Sequence, residues 1–261
     1  MNEPRVTDTS GPVLFARYAY PPNSLGLCGP DDPDGLWQAT VEGSDLQHLT
    51  HLAAQFEGAW PYLELIAAAN DIDDPLDVRV VQAYWLGNGL IRRVPMTALA
   101  TSLDDRFSRR TGQNFESLVA AAVAGAVAQH SFHVFAVYPW LGLLRAGVQG
   151  PPLEVLDRCR IRWGRVESLD GDAALVRSQP LEFVGSRLVL AAERVERVHY
   201  RVEHSGFVND LLPGDVVSMH WDWICDRLTS VSLAWLQACT RHNLAAVNAL
   251  ARPGPAMLCD T

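Results

Sequence analysis

Leu211-Leu-Pro-Gly-Asp-Val-Val-Ser-Met-His-Trp-Asp-Trp-Ile-Cys-Asp-Arg-Leu228 is the stretch from which the fold is read. Pro213-Gly214 makes a turn, because Pro fixes one backbone angle and Gly adopts angles that other residues avoid. A strand is expected from Asp215 to Trp223, with Val217, Met219 and Trp221 on one face and Val216, Ser218 and His220 on the other. His220 is thereby set at a defined height on a strand, just ahead of a helix start at Thr229. Upstream, Cys159-Arg-Ile-Arg-Trp-Gly-Arg-Val-Glu-Ser-Leu-Asp-Gly-Asp-Ala-Ala-Leu-Val176 reads as a hairpin. Its strands run Arg160 to Ser168 and Ala173 to Arg177, joined at Asp170-Gly171, a strong hairpin dipeptide.

Taken in order, Cys159, Gly164-Arg165-Val166, Asp170-Gly171, Pro213-Gly214-Asp215-Val216-Val217 and His220 resemble the HypC/HupF family of hydrogenase maturation chaperones. The resemblance covers Cys159 to Leu236. It implies a small OB-like β-barrel with a trailing helix. It also implies a Cys and a His that hold an iron carrying cyanide and carbon monoxide, here Cys159 and His220. The partners it implies are a hydrogenase large subunit or other maturation proteins. Two positions depart from the family pattern: Cys159 lies deep inside the chain, and Trp163 stands where the family has Pro before the first Gly.

The chain has 261 residues, 48% of them hydrophobic, enough for one large or two modest domains. Its net charge of −9 comes from 21 basic and 30 acidic side chains with no basic run, which argues against nucleic acid. The five cysteines, Cys28, Cys159, Cys225, Cys239 and Cys259, show no CxxC spacing. Met1 to Ser10 is polar, so no signal peptide is expected and reduced cytoplasmic thiols are the natural reading. The most apolar region, Leu118 to Leu144, is interrupted by Gln129, His130, Ser131, His133 and Pro139, so no membrane insertion is expected.

The first half reads as helical. Residues 1–12 look like a loose leader, and Phe15 to Gly35 like an ordered loop, given its Pro and Gly content. Cys28 within it is read as a small buried thiol in a tight turn, with a site-facing role as the alternative. Helices are expected from Asp45, with Ser44 and Gln47 as a capping box, from Tyr62 to Ala69, from Asp74-Pro75 to Gly87, from Thr97 to Arg109 and from Glu116 to His130. Gly147 to Pro152 is the expected boundary between an α-helical domain, 1–150, and a barrel domain with a C-terminal helix, 151–261. The fold class is α+β. Arg187 to Ala192 and Val195 to Val202 are further strands, and Thr229 caps the last helix.

A thiolate and a neutral imidazole suit iron, copper or zinc, which makes Cys159 and His220 the first candidate site. The alternative is a buried thiol beside a hydrogen-bonded core histidine. His130 and His133 form a second candidate: at i, i+3 on a helix both imidazoles share one face, and two His plus a carboxylate can hold non-haem iron. The alternative is a polar patch on a buried helix. Asp222 and Asp226 would orient a metal-bound His, with support of the last helix's cap as the alternative for Asp226. His48 and His51 are read as solvent-facing. No nucleotide loop or hydrolase motif is present. Three functions remain open: a hydrogenase-maturation accessory protein, an iron-dependent enzyme using His130 and His133, and a non-catalytic interaction module.

Overall fold

The computed structural model describes residues 9–42, 45–99, 101, 120 and 124–250. The helices α1 (Gly11–Ser24), α2 (Pro33–Glu42), α3 (Leu46–Ala53), α4 (Trp60–Ala68) and α5 (Val78–Trp85) come first, followed by a 3-10 turn, Gly89–Arg93. Then α6 (His130–Phe132) runs into a π-helical turn, His133–Val137, followed by α7 (Trp140–Arg145) and α8 (Pro151–Cys159). Seven strands follow: β1 (Arg162–Asp170), β2 (Ala173–Ser178), β3 (Leu181–Val184), β4 (Arg187–Leu190), β5 (Arg194–His199), β6 (Val216–His220) and β7 (Trp223–Arg227). A helix, α9 (Ser230–Ala249), comes last. Thr229 caps it, its Oγ1 accepting the Ser232 N–H at 3.1 Å.

α1 occupies the segment expected to be a loop. Its prolines sit at the ends: Pro12 in the first turn, where a missing N–H is harmless, and Pro21 and Pro22 in the last. Only the carbonyls of Arg17 and Tyr18 therefore lose a helical partner. Leu14, Phe15, Tyr18 and Ala19 are buried on α1, and burial of that face outweighs the two missing bonds. α1 packs against α2, α3 and α5, and also against β6 and β7. The largest apolar cluster accordingly joins Phe15, Tyr18, Leu63, Val81 and Trp85 to Ile161, Trp163, Cys225 and Leu236, on both sides of residue 150. Tyr20, Trp37, Phe207 and Trp223 add a four-ring contact between the helices and the sheet, every pair 5.0–5.7 Å between centroids.

The strand order β1-β2-β5-β7-β6 returns to β1. Four seams are antiparallel ladders, but β5 meets β7 through a single parallel pair, His199 with Trp223. With that seam one residue wide, the expected barrel is not properly closed; helices followed by a mostly sheet region and a last helix make an α+β fold. β3 and β4 form a separate hairpin against α8 and α9. The Asp170-Gly171 turn is present, with Gly171 at φ +61 closing Asp170 onto Ala173.

Several expectations are corrected. The strand read from Asp215 to Trp223 is a hairpin: β6 ends at His220, Trp221 takes φ +52, and β7 begins at Trp223. No Gly, Asn or Asp marks the left-handed position, which is why the sequence hides it. Gly150-Pro151-Pro152, within the expected domain boundary, starts α8, because both prolines fall at the helix's first positions. α5 begins at Val78, capped by Asp77 rather than Asp74. Ala124 to Gln129 is not helical. Most of the helices expected over Thr97–Arg109 and Glu116–His130, together with residues 1–8, Ser44 and Cys259, lies outside the described residues.

Candidate metal centre

Val217 and Met219 point into the sheet's own core. Ser218 and His220 therefore lie on the opposite face, which α1 covers. Tyr18 meets both: its hydroxyl lies 2.7 Å from Ser218 Oγ, and its carbonyl accepts from His220 Nδ1 at 2.6 Å. That carbonyl is one of the two freed by the prolines, since Pro22 has no N–H to give it. The helix end thus supplies an acceptor that fixes His220 as the Nδ1–H tautomer. Among the described residues its buried Nε2 makes no hydrogen bond, and the Cys159 backbone lies against the same ring.

Cys159 closes α8 and is held opposite His220 by its neighbours. Arg158 donates to both oxygens of Asp222, at 2.6 and 2.7 Å, and its carbonyl accepts the Trp221 N–H at 2.8 Å. Asp157 binds the Arg160 guanidinium and the Leu181 N–H. The helix end is thereby stapled to the β6–β7 turn on one side and to the β3–β4 hairpin on the other.

His130 arrives from the helical half. Gln129 caps its short helix through Ser131 N, and its Nε2 donates to Trp85 O at 2.7 Å. Asn243 on α9 joins the same loop, accepting from Val127 N and donating to Ser131 Oγ. One ligand atom from each of His130, Cys159 and His220 falls within 4.8 Å of the others, and all three residues are buried. Among the described residues this is the one grouping of three or more potential metal ligands.

The two imidazoles differ. His130 Nε2 lies 2.8 Å from the Cys159 carbonyl, which can only accept, so Nε2 carries the proton. Nδ1 then accepts from the Tyr84 hydroxyl at 3.0 Å. Burial pushes His130 down to about 4 and His220 well below its ordinary value. Both rings are therefore neutral at pH 7, the state a metal requires. Burial likewise pushes the Cys159 thiol up, so a metal would have to displace its proton. The Trp85 ring covers both histidines, at 4.8 Å from His130 and 5.8 Å from His220.

His133 does not join this group. It ends the short helix and begins the π-helical turn, where Tyr138 N bonds to His133 O five residues back. Its Nδ1 pairs with the Tyr62 hydroxyl at 3.2 Å, its ring packs against Tyr138, and burial followed by the charge of His130 pushes it down to about 3. Asp222 braces Arg158 rather than His220, and Asp226 lies 3.7 Å from Arg17. His48 is half-buried and bonds Asp32 at 3.1 Å. Tyr18, Tyr84, Trp85 and Arg158 shape the site and are absent from the sequence-based candidates. Only the Tyr18–Pro22 spacing carried a readable signal, a helical carbonyl without its donor.

A Cys thiolate with one or two neutral imidazoles, shielded from water, is a borderline-soft donor set suited to iron, zinc or copper. The bare, oriented His220 Nε2 beside Cys159 fits such an ion. No described helix is long and apolar enough to cross a membrane. Neither the curated proteins nor the solved structures include a match to this chain. A family model does match residues 7–253, and the chain belongs to that family, described as a family of unknown function (DUF6390).

Proposed function

We propose that this protein is an iron-binding accessory factor in [NiFe]-hydrogenase maturation, acting in the cytoplasm on a hydrogenase large subunit or on other maturation proteins. Cys159 supplies a thiolate, His220 an Nε2 donor and His130 a third donor from the helical half. Iron, as an iron–cyanide–carbonyl unit, is cargo rather than a resident catalyst. The observation that carries the reading is the meeting of Cys159 and His220 in one buried site, 61 positions apart in the chain. These are the two residues that the HypC/HupF resemblance pairs. The five-stranded ring followed by α9 is in keeping with a HypC-like, OB-like module.

The chain's own residues account for retention of such cargo. Tyr18 holds His220 in the coordinating tautomer, Arg158 and Asp222 hold Cys159 opposite it, and Trp85 excludes water. The test is an infrared spectrum of protein purified without air from cells expressing a [NiFe]-hydrogenase and its maturation genes. Cyanide and carbonyl stretches that disappear in Cys159→Ala are expected. Folded, iron-containing protein without those bands would rule out carriage of the unit.

A further inference from the structure

We infer that Tyr84 is a positioning residue that lets His130 change from a hydrogen-bond donor into a metal ligand. The inference rests on the metal-site reading above. The two imidazoles start from opposite states. His220 already presents a bare Nε2, because Nδ1–H is spent on the Tyr18 carbonyl. His130 instead directs Nε2–H at the Cys159 carbonyl, so the atom facing the site carries a hydrogen. It can bind a metal there only as the other tautomer.

The groups on its two nitrogens decide which change is open. The Cys159 carbonyl accepts and never donates, so it holds Nε2–H in place while the site is metal-free. The Tyr84 hydroxyl both donates and accepts. It donates to a bare Nδ1 at 3.0 Å now, and by rotating its O–H it can accept from an Nδ1–H at the same separation. One N–H bond breaks at Nε2 and one forms at Nδ1, the first proton leaving to and the second arriving from solvent that enters with the metal before the site closes, and the ring is neutral before and after. Metal-ligating histidines commonly carry an outer partner on the far nitrogen in this way. Tyr84 is fully enclosed, on α5, and its ring packs against Trp85 and Tyr62. The hydroxyl is thus fixed in place by the helical half.

The change couples the two halves of the chain. Without metal, His130 bonds to the end of α8. With metal, it releases that carbonyl and shares an ion with Cys159 and His220. The test uses full-length protein, metal-free and then loaded with zinc(II), with 15N-labelled histidine followed by NMR. Metal-free protein is expected to show His130 as the Nε2–H tautomer, and zinc to convert it to Nδ1–H. Tyr84→Phe keeps the ring and removes the hydroxyl. In cobalt(II) titrations it should keep the sulfur-to-metal absorption of Cys159 while losing roughly 10- to 100-fold in affinity, with His130 remaining Nε2–H. Wild-type affinity and a normal tautomer change in Tyr84→Phe would overturn the inference, and so would a His130 whose resonances ignore zinc bound at Cys159. If Tyr84→Phe does not fold, the wild-type tautomer change decides alone. Absence of any metal binding by the wild type would sink the underlying site itself, a different and distinguishable result.

Discussion

Acidifying the metal-free protein from pH 7.5 to pH 5 should destabilise it by about 4 kcal/mol, a figure set by the burial of neutral His130 and His133, with His220 adding in the same direction. His130, His133 and His220 are each held below the ordinary histidine value of 6.5, chiefly by burial. A histidine depressed in the fold binds fewer protons folded than unfolded. Its stabilising contribution is therefore whole above pH 6.5 and is lost as pH falls from 6.5 towards the folded value. With folded values of about 4 for His130 and about 3 for His133, both stay neutral in the fold at pH 5. Each then forfeits about 2 kcal/mol over the 1.5 units below 6.5, at about 1.4 kcal/mol per unit. That loss is close to the lower end of whole-domain stabilities. Asp226, whose carboxyl burial raises, works the other way but is a single group. The assay is urea unfolding of chelator-treated protein at a series of pH values. His133→Gln should remove about 2 kcal/mol of the pH dependence, since Gln keeps a polar group near Tyr62 without titrating. Stability that is level between pH 7.5 and pH 5 would refute the reasoning.

Three further outcomes are expected. Arg158→Ala should lower stability by less than about 1 kcal/mol, because the Arg158–Asp222 pair is 37% and 49% exposed, yet weaken cobalt(II) binding by leaving only the Arg158 carbonyl to tie the end of α8 to the β6–β7 turn. Equal binding in the variant would show that the staple does not position Cys159. Pro22→Ala gives α1 an N–H that competes with His220 Nδ1 for the Tyr18 carbonyl; 15N NMR should then show a mixture of His220 tautomers, whereas an unchanged Nδ1–H signal would contradict the assignment. Trp37→Ala should cost about 2–3 kcal/mol in chemical denaturation, somewhat below the range for a fully buried tryptophan, since Trp37 is half-buried among Tyr20, Phe207 and Trp223. A loss under 1 kcal/mol would mean the four rings do not hold the helices to the sheet.

The sheet was legible where local chemistry dictates local shape. Asp170-Gly171, Pro213-Gly214 and Thr229 each announce a turn or a cap, and each stands where the sequence places it. The β6–β7 turn was hidden because Trp221 adopts a left-handed conformation that no tryptophan advertises. α1 was hidden because proline content was weighed without regard to position; at the ends of a helix prolines are tolerated. Cys159 and His220 could be paired only through resemblance, since no spacing links residues on α8 and β6. His130 was visible as a candidate, but its partners were not. They come from α5, α8 and the sheet, and such long-range contacts leave no periodic trace. His133 follows His130 at the end of the same short helix, but its Nδ1 pairs with the Tyr62 hydroxyl and it lies outside the group formed by His130, Cys159 and His220.

Anaerobic titration of the metal-free protein with iron(II), and with cobalt(II) as an optical probe, tests most directly whether Cys159 and His220 form a metal centre. One metal per chain is expected, with near-ultraviolet sulfur-to-cobalt absorption that is lost in Cys159→Ala and strongly weakened in His220→Ala, both variants remaining folded. Stoichiometric binding with the same spectrum in Cys159→Ala, or no uptake by the folded wild-type chain, would contradict it.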